Sequence, residues 1–394
     1  MPHNTDEMKE MSMNILKQGA IALLAAAAAA CPIAGSAQAK EPVKIGVVLS
    51  LSGPAAVFGL PERDSITAIN KEFGGTVDGR KMDLVWCDDK TNPTEAARCV
   101  TQLANDDKVV AIIGPGTGGG ILAAGPVAQR LGVPLLGPAG TVAITDKTNA
   151  FYPWVFRVAI NDMVGIEQTL RAAAKNGAKK IAVLYQEDAY GKFGSDYAQK
   201  LSKKLGFTVV ETIGVPYTAT DLTPQVTKFR NAGADAVFMQ LSVSSLGAAF
   251  LKAANEVGLK VPLYANSGLA QKSFIDAAGS LGDGVRVLSI GNLAYDPTPN
   301  EQKLVAILQK NGFKPQGWGE IVAANGYMTV VAALKKISGP VTGQKMRDTI
   351  ETLCGFDTLS MGRPCYSKDN HDAWGSDALV LTTIRNGQFR SDAK

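Results

Sequence analysis

The sequence is almost without histidine: two residues in 394, His3 and His371. Cysteine occurs five times, tryptophan four times, and aromatic residues make up 7% of the chain. No Cys-x-x-Cys pair occurs, and no cluster of histidine, cysteine or acidic residues has metal-ligand spacing, so no metal site is expected. Gly-x-Ser-x-Gly is absent, and no Lys-Ser or Lys-Thr follows a glycine-rich loop. No pair of carboxylates is marked by spacing for acid–base work, and Asp88-Asp89 reads as a solvated strand end. The formal net charge is only +4, without a basic stripe interleaved with aromatics, so no nucleic-acid partner is expected. Beyond residue 39 no apolar run is long enough to span a bilayer. These absences predict a chain that is not an enzyme and needs no cofactor.

What is present points to a large globular chain. A length of 394 residues predicts two domains, and 46% hydrophobic with 19% charged residues is ordinary for folded proteins. At the start, Lys17 precedes an alanine-rich apolar run over 20–30, and Ala37-Gln38-Ala39 offers a small-x-small cleavage pattern. Residues 1–39 therefore read as a secretory signal. Lipoprotein processing at Cys31 is the alternative, although the usual leucine three residues before that cysteine is missing. Export implies an oxidising compartment, a periplasm. Cys87, Cys99, Cys354 and Cys365 remain and allow three pairings. Cys87 ends a strand and Cys99 lies on the next helix. Cys354 and Cys365 flank a turn-rich segment. Two structural disulfides, Cys87–Cys99 and Cys354–Cys365, are expected.

The chain is organised around residues 109–141. A buried strand at 109–113 runs into the loop Gly114-Pro115-Gly116-Thr117-Gly118-Gly119-Gly120, which opens a helix over 121–131. A second apolar run at 133–136 ends in Gly137-Pro138-Ala139-Gly140-Thr141. Two parallel strands thus deliver two glycine-rich loops to one sheet edge, where open α/β sheets bind ligands. The first loop also sits at a helix N-terminus, which attracts an anion such as a carboxylate. Around this stretch, strands and helices alternate from residue 43 to 113 and again from 161 to 290. Long helices follow at 299–311, 319–337 and 341–352, then a tail of short strands. The expected fold is α/β: two Rossmann-like doubly wound lobes joined by three crossings. Lobe 1 is expected over 40–156 plus 291–362, and lobe 2 over 157–290 plus 363–394.

Gly114 to Gly119 formally matches G-x-G-x-x-G, but no acidic residue lies about 20 positions on for a ribose, and the motif follows the third strand instead of the first. The glycines serve either a tight turn or direct ligand contact through backbone N–H groups. Candidate ligand-binding residues are Thr117, Gly118 and Gly119 in the first loop, and Ala139, Gly140 and Thr141 in the second. Phe58, in a loop before the first helix, could wall the cleft or simply pack. Tyr190, opening a helix at the edge of the second lobe, offers a ring face and a hydroxyl. Ser242, Ser244, Asn266 and Ser267 follow second-lobe strands, where helix capping is the competing role.

Six segments carry a family likeness: KIGVVLSLSGPAAVFG, WCDDKTNPTEAARC, VVAIIGPGTGGG, GVPLLGPAGT, QEDAYG and YDPTP. In this order, over about 42 to 390, the chain resembles the leucine/isoleucine/valine-binding type of periplasmic solute-binding proteins of ABC transporters. The resemblance implies a non-enzymatic receptor that closes on a small solute and is offered to an ABC permease in the inner membrane; a monomer is expected. It further implies that Gly118-Gly119 and the segment ending at Thr141 hold a solute carboxylate, and that Tyr190 is the second lobe's aromatic. Relatives often carry serine where this chain has glycine in the first loop. In amino-acid binders an acidic residue after the strand matching 261–264 neutralises the α-ammonium. Here that segment is Tyr264-Ala265-Asn266-Ser267-Gly268, with no carboxylate. An ammonium buried without a counter-charge is costly, so an organic or aromatic acid lacking the amine is the preferred ligand, unless Glu187, Asp188, Asp296 or Glu320 supplies the charge. A ligand-sensing receptor subunit and a nucleotide-using Rossmann enzyme are the alternatives.

Overall fold

Short apolar runs followed by helices force crossover connections, and crossovers produce parallel pairing. The computed structural model describes residues 40–391. The expected signal segment 1–39, with His3 and Cys31, lies outside the described residues. Two seven-stranded sheets form. The first contains β1 (Lys40–Leu49), β2 (Thr76–Val77), β3 (Arg80–Asp88), β4 (Ala111–Ile113), β5 (Leu135–Gly137), β6 (Val155–Ile160) and β12 (Asp372–Trp374), in the order β12-β6-β5-β4-β1-β3-β2. The second contains β7 (Lys180–Gln186), β8 (Thr208–Val215), β9 (Ala236–Gln240), β10 (Leu263–Ala265), β11 (Arg286–Ser289), β13 (Val380–Arg385) and β14 (Gln388–Ser391), in the order β14-β13-β11-β10-β9-β7-β8. The β1-β4-β5-β6 and β8-β7-β9-β10-β11 runs are parallel. The β13–β14 hairpin closes the second sheet antiparallel to β11.

Helices α1 (Ala56–Glu72), α2 (Pro93–Asn105) and α3 (Gly118–Leu131) belong to the first lobe. Helices α4 (Asp162–Lys175), α5 (Ala189–Leu205), α6 (Thr223–Asn231), α7 (Ser244–Val257) and α8 (Lys272–Ala278) belong to the second. The long helices α9 (Pro299–Lys310) and α10 (Trp318–Lys336) and the shorter α11 (Gly343–Ile350) return to the first lobe, as expected from the change of pattern. Helix α10 is apolar nearly all round and is buried accordingly, against α1, β4 and β6. Ile321, Val322, Ala324 and Val330 join Ile45, Ile113 and Val158 in that core.

The chain crosses between sheets three times: after β6, between β11 and α9, and between β12 and β13. Two crossings fall later than expected. Residue 157 does not begin the second lobe, because Arg157 still pairs with Gly137 and β6 continues to Ile160. Residues from 363 to 374 stay with the first lobe, because β12 pairs in parallel with β6. The expected boundary at 156/157 therefore falls inside an interior strand, which a short turn at Tyr152–Trp154 precedes.

Both expected disulfides, Cys87–Cys99 and Cys354–Cys365, are formed. His371, which directly precedes the short strand β12, is not exposed to solvent. It is buried between the rings of Tyr152 and Phe156, with its Nδ1 2.9 Å from the carbonyl of Val155. Asp88-Asp89 is not simply a solvated strand end either. Asp88 accepts the amides of Leu51, Ser52 and Lys90, and the buried Asp89 accepts Ser50 Oγ at 2.6 Å. The pair shapes the loop after β1.

Candidate functional site

Strand order places the crevice. In the first sheet β1 lies between β4 and β3, and in the second β7 lies between β9 and β8. At such a switch point successive loops leave in opposite directions and open a gap beyond the strands' carboxyl ends. The two gaps join in one cavity of about 260 Å³. That is slightly under the range of about 300–1,000 Å³ typical of small-molecule pockets, so the occupant is small.

The first lobe contributes mainly backbone. Thr117 caps α3, its hydroxyl accepting Gly120 N–H at 3.1 Å and its carbonyl accepting Ile121 N–H at 2.9 Å. The amides of Gly118 and Gly119 are left without an intrahelical acceptor, at the positive end of a helix, and both residues line the cavity. Gly118 is required sterically: a Cβ there would lie 2.1 Å from Thr141 Oγ1. The second loop is held from behind by Arg157, which is fully buried on β6. Its Nη1 donates to Ala139 O at 2.5 Å and its Nη2 to Thr141 O at 2.9 Å, while Nε pairs with Asp372 at 2.6 Å. With those carbonyls drawn to the guanidinium, the loop 139–141 forms cavity wall without exposing unpaired acceptors.

The second lobe contributes side chains. Asp188 caps α5 by accepting Gly191 N–H at 2.7 Å, and its other oxygen takes Gln186 Nε2 at 2.7 Å and the hydroxyl of Tyr217. Gln186 Oε1 accepts both the amide and the hydroxyl of Ser242. Asp188, Gln186, Tyr217 and Ser242 all line the cavity, and their network is satisfied internally. Tyr190 lines it too, its hydroxyl buried without a hydrogen-bond partner.

Phe58 and Trp318 form an aromatic corner, rings edge-to-face at 5.5 Å. Phe58 lies within the first turn of α1, because that helix begins at Ala56, three residues earlier than its periodicity suggests. Asp162, just past β6, is also in the wall. Its Oδ1 accepts Asn266 Nδ2 at 3.2 Å and its Oδ2 has no partner. Burial pushes its carboxyl up to about 7, against the attraction of Arg157. Behind this half of the cavity Glu62 is fully buried, with both oxygens unpartnered. Burial, and then the nearby Asp89 and Glu320, raise it well above the usual carboxylate range.

Of the twelve expected contact residues, ten line the cavity: Phe58, Thr117, Gly118, Gly119, Ala139, Gly140, Thr141, Tyr190, Ser242 and Ser267. Two do not. Ser244 points its hydroxyl at Ser273 on α8, 2.9 Å away, because it has already entered α7. Asn266 is buried behind Asp162 and positions it. Of the acidic residues considered for charge, only Asp188 reaches the cavity. Glu320 instead caps α10 by accepting the amides of Gln316 and Gly317, and Asp296 takes the hydroxyl of Ser391. Asp162, Gln186, Tyr217 and Trp318 were not anticipated. Asp162 carried one signal, an acid directly after a strand and an Asn N-cap; Trp318 comes from residues far along the chain. Among the described residues no group of histidine, cysteine or acidic side chains is arranged to hold a metal ion.

Residues 42–388 match the periplasmic binding protein family, and the chain belongs to it. A Leu/Ile/Val-binding protein homolog 7 from Brucella suis biovar 1 (strain 1330) is 28% identical over 340 residues, covering 80% of this chain and 82% of that one. An extracellular ligand-binding receptor from Rhodopseudomonas palustris HaA2 has the same fold, with a TM-score of 0.82 and 26% identity over 89% of this chain and 99% of that one. A solute-binding protein of an ABC transporter from the same organism, solved in complex with p-hydroxybenzoic acid, has a TM-score of 0.79 at 22% identity, covering 89% and 95%. The protein is thus an extracytoplasmic solute-binding protein of the ABC-transporter type, related to the branched-chain amino-acid binders, and it is not an enzyme. Among the described residues, no helix is long and apolar enough to cross a membrane.

Proposed function

We propose that the protein is a periplasmic receptor that shuts its two lobes over a small organic acid lacking an α-amino group, and presents it to a membrane permease. The observation that carries this reading is the composition of the cavity wall. Backbone amides of Gly118 and Gly119 stand at a helix N-terminus at one end, and Phe58, Trp318, Tyr190 and Tyr217 supply flat apolar surface from both lobes. The segment 265–268 after β10 contains no carboxylate to receive an ammonium group. The family accommodates both kinds of ligand by name, leucine-type in the Brucella homologue and a hydroxybenzoate in the Rhodopseudomonas structure, so the choice rests on this chain's own wall.

A second reading, an α-amino acid, is favoured by one observation: Asp162 lines the cavity and its buried Oδ2 has no hydrogen-bond partner. Calorimetric titration of the purified protein with benzoate, 4-hydroxybenzoate, phenylacetate, leucine and valine separates the two. Binding of at least one aromatic acid with no heat from leucine or valine is expected. Tight leucine binding with silence from every deaminated acid would overturn the proposal. Small-angle scattering with and without the binding acid tests closure, which predicts a smaller radius of gyration in the complex.

A further inference from the structure

Among the described residues no lysine, arginine or histidine lines the cavity to meet an anion, while Asp162 and Asp188 both do. Asp188 is accounted for by three donors, Gly191 N–H, Gln186 Nε2 and the Tyr217 hydroxyl. Asp162 is not. Its only side-chain donor is Asn266 on Oδ1, and its buried Oδ2 is bare. It also lies beside the anion-binding loop. Its own N–H donates to Gly140 O at 2.9 Å, and a Cβ on Gly140 would stand 2.3 Å from its Oδ1. A solute carboxylate against 139–141 would therefore meet a second carboxyl group in a cleft with little water, and two such groups do not both stay ionised.

The remaining groups around Asp162 do not supply the missing positive charge. Arg157, on β6, is committed to Asp372, to the carbonyls of Ala139, Thr141 and Val142, and to the Thr145 hydroxyl. From the loop after β7 and the start of α5 come Asp188 and the neutral Tyr190; from the loop after β10 comes Asn266. Arg157 and Asp372 balance each other and Asp188 is satisfied by neutral donors, which leaves Asp162 as the wall carboxyl with an unpartnered oxygen.

We propose that the acid is bound together with one proton: Asp162 takes up a proton from solvent and donates its Oδ2–H to the solute carboxylate, so that the pair carries a single negative charge. In this state Asp162 offers an α-ammonium no counter-charge, and it acts as a specificity determinant for acids over amino acids. Burial already brings its carboxyl to about 7 in the unliganded protein, and an adjacent anion raises it further. The inference rests on the reading of the ligand as an acid.

The test is calorimetry with whichever of benzoate, 4-hydroxybenzoate and phenylacetate binds, run at pH 8 in two buffers of different protonation enthalpy and repeated between pH 6 and 8.5. About one proton taken up per solute at pH 8 is expected, with a Kd that rises about tenfold per pH unit above 7. Asp162→Asn should abolish both the uptake and the slope, and at pH 8.5 should bind about tenfold or more tightly than the unaltered protein. Acid binding with no proton uptake and a flat pH profile overturns the proton claim while leaving the acid reading intact. Failure of every acid to bind, with leucine bound, overturns both. The uptake measurement uses the unaltered protein, so it decides the matter even where the variant does not fold.

Discussion

The two halves of the cleft are built from different material. The first lobe offers main chain: amides at the start of α3 and a loop whose carbonyls are drawn back by Arg157. The second offers side chains, with Asp188, Gln186, Tyr217 and Ser242 tied into one network. Main-chain wall depends on whatever holds its shape, so it is most vulnerable to changes that never touch a ligand. Side-chain wall is vulnerable at the contact itself, where individual substitutions can retune it.

The largest expected effect comes from the buried support of the first half. Arg157→Leu leaves Asp372 unpaired and strips donors from several carbonyls. A loss of about 3–5 kcal/mol is expected from breaking such a buried pair, read by urea denaturation. Stability within about 1 kcal/mol of the parent would show that the loop keeps its shape without the guanidinium. Next is Gly118→Ser, which puts a Cβ against Thr141 Oγ1. Overpacking of about 1–3 kcal/mol in the ligand-contacting loop predicts a Kd for the bound acid weaker by about 5- to 150-fold, by calorimetry, with the thermal midpoint changed far less where the loop yields locally. Tighter binding would mean that the first half accommodates a side-chain hydroxyl at this position. The smallest effect is expected from Ser244→Ala in the second lobe, since its hydroxyl faces Ser273 and away from the cavity. A change in Kd below about twofold is expected, within the range of about 0.5 kcal/mol for a substitution away from such features. A tenfold loss would place Ser244 at the ligand and erase the division between the halves.

Much of this was legible in the chain. The alternation of apolar runs with helices reports the two sheets, because pattern period and crossover geometry are local consequences of sequence. The glycine loops were legible for the same reason: Gly118 and Thr141 lie four or five residues past strands that are neighbours in one sheet. Two kinds of information were not local. Trp318 reaches Phe58 from 260 positions away on a helix whose apolar surface carries no directional stripe. Asp162 reads as an unremarkable first-turn acid on α4, and only the approach of Gly140 and the burial of Asn266 behind it reveal a carboxyl in the wall. The position of the last crossing was also hidden, because β12 is three residues long and owes its place to pairing with β6. Ser244 follows a second-lobe strand as the contacting residues do, but which way its hydroxyl turns is set by Ser273 on α8, which the local sequence does not report.

The hydrogen bond from Asp162 N–H to Gly140 O lies two residues past the end of β6, at the first passage of the chain between sheets. Under any rotation of one lobe on the other, displacement grows with distance from that passage. A second tie between the lobes stands beside the aromatic corner, where Gln316 O accepts Lys272 N–H at 2.9 Å, two residues before Trp318. In the proposed opening of the cleft, the bond at Asp162 would be kept close by the chain itself, because a crossing runs directly past it. The bond at Gln316 joins segments distant in sequence, so it is the one that parting lobes would have to break.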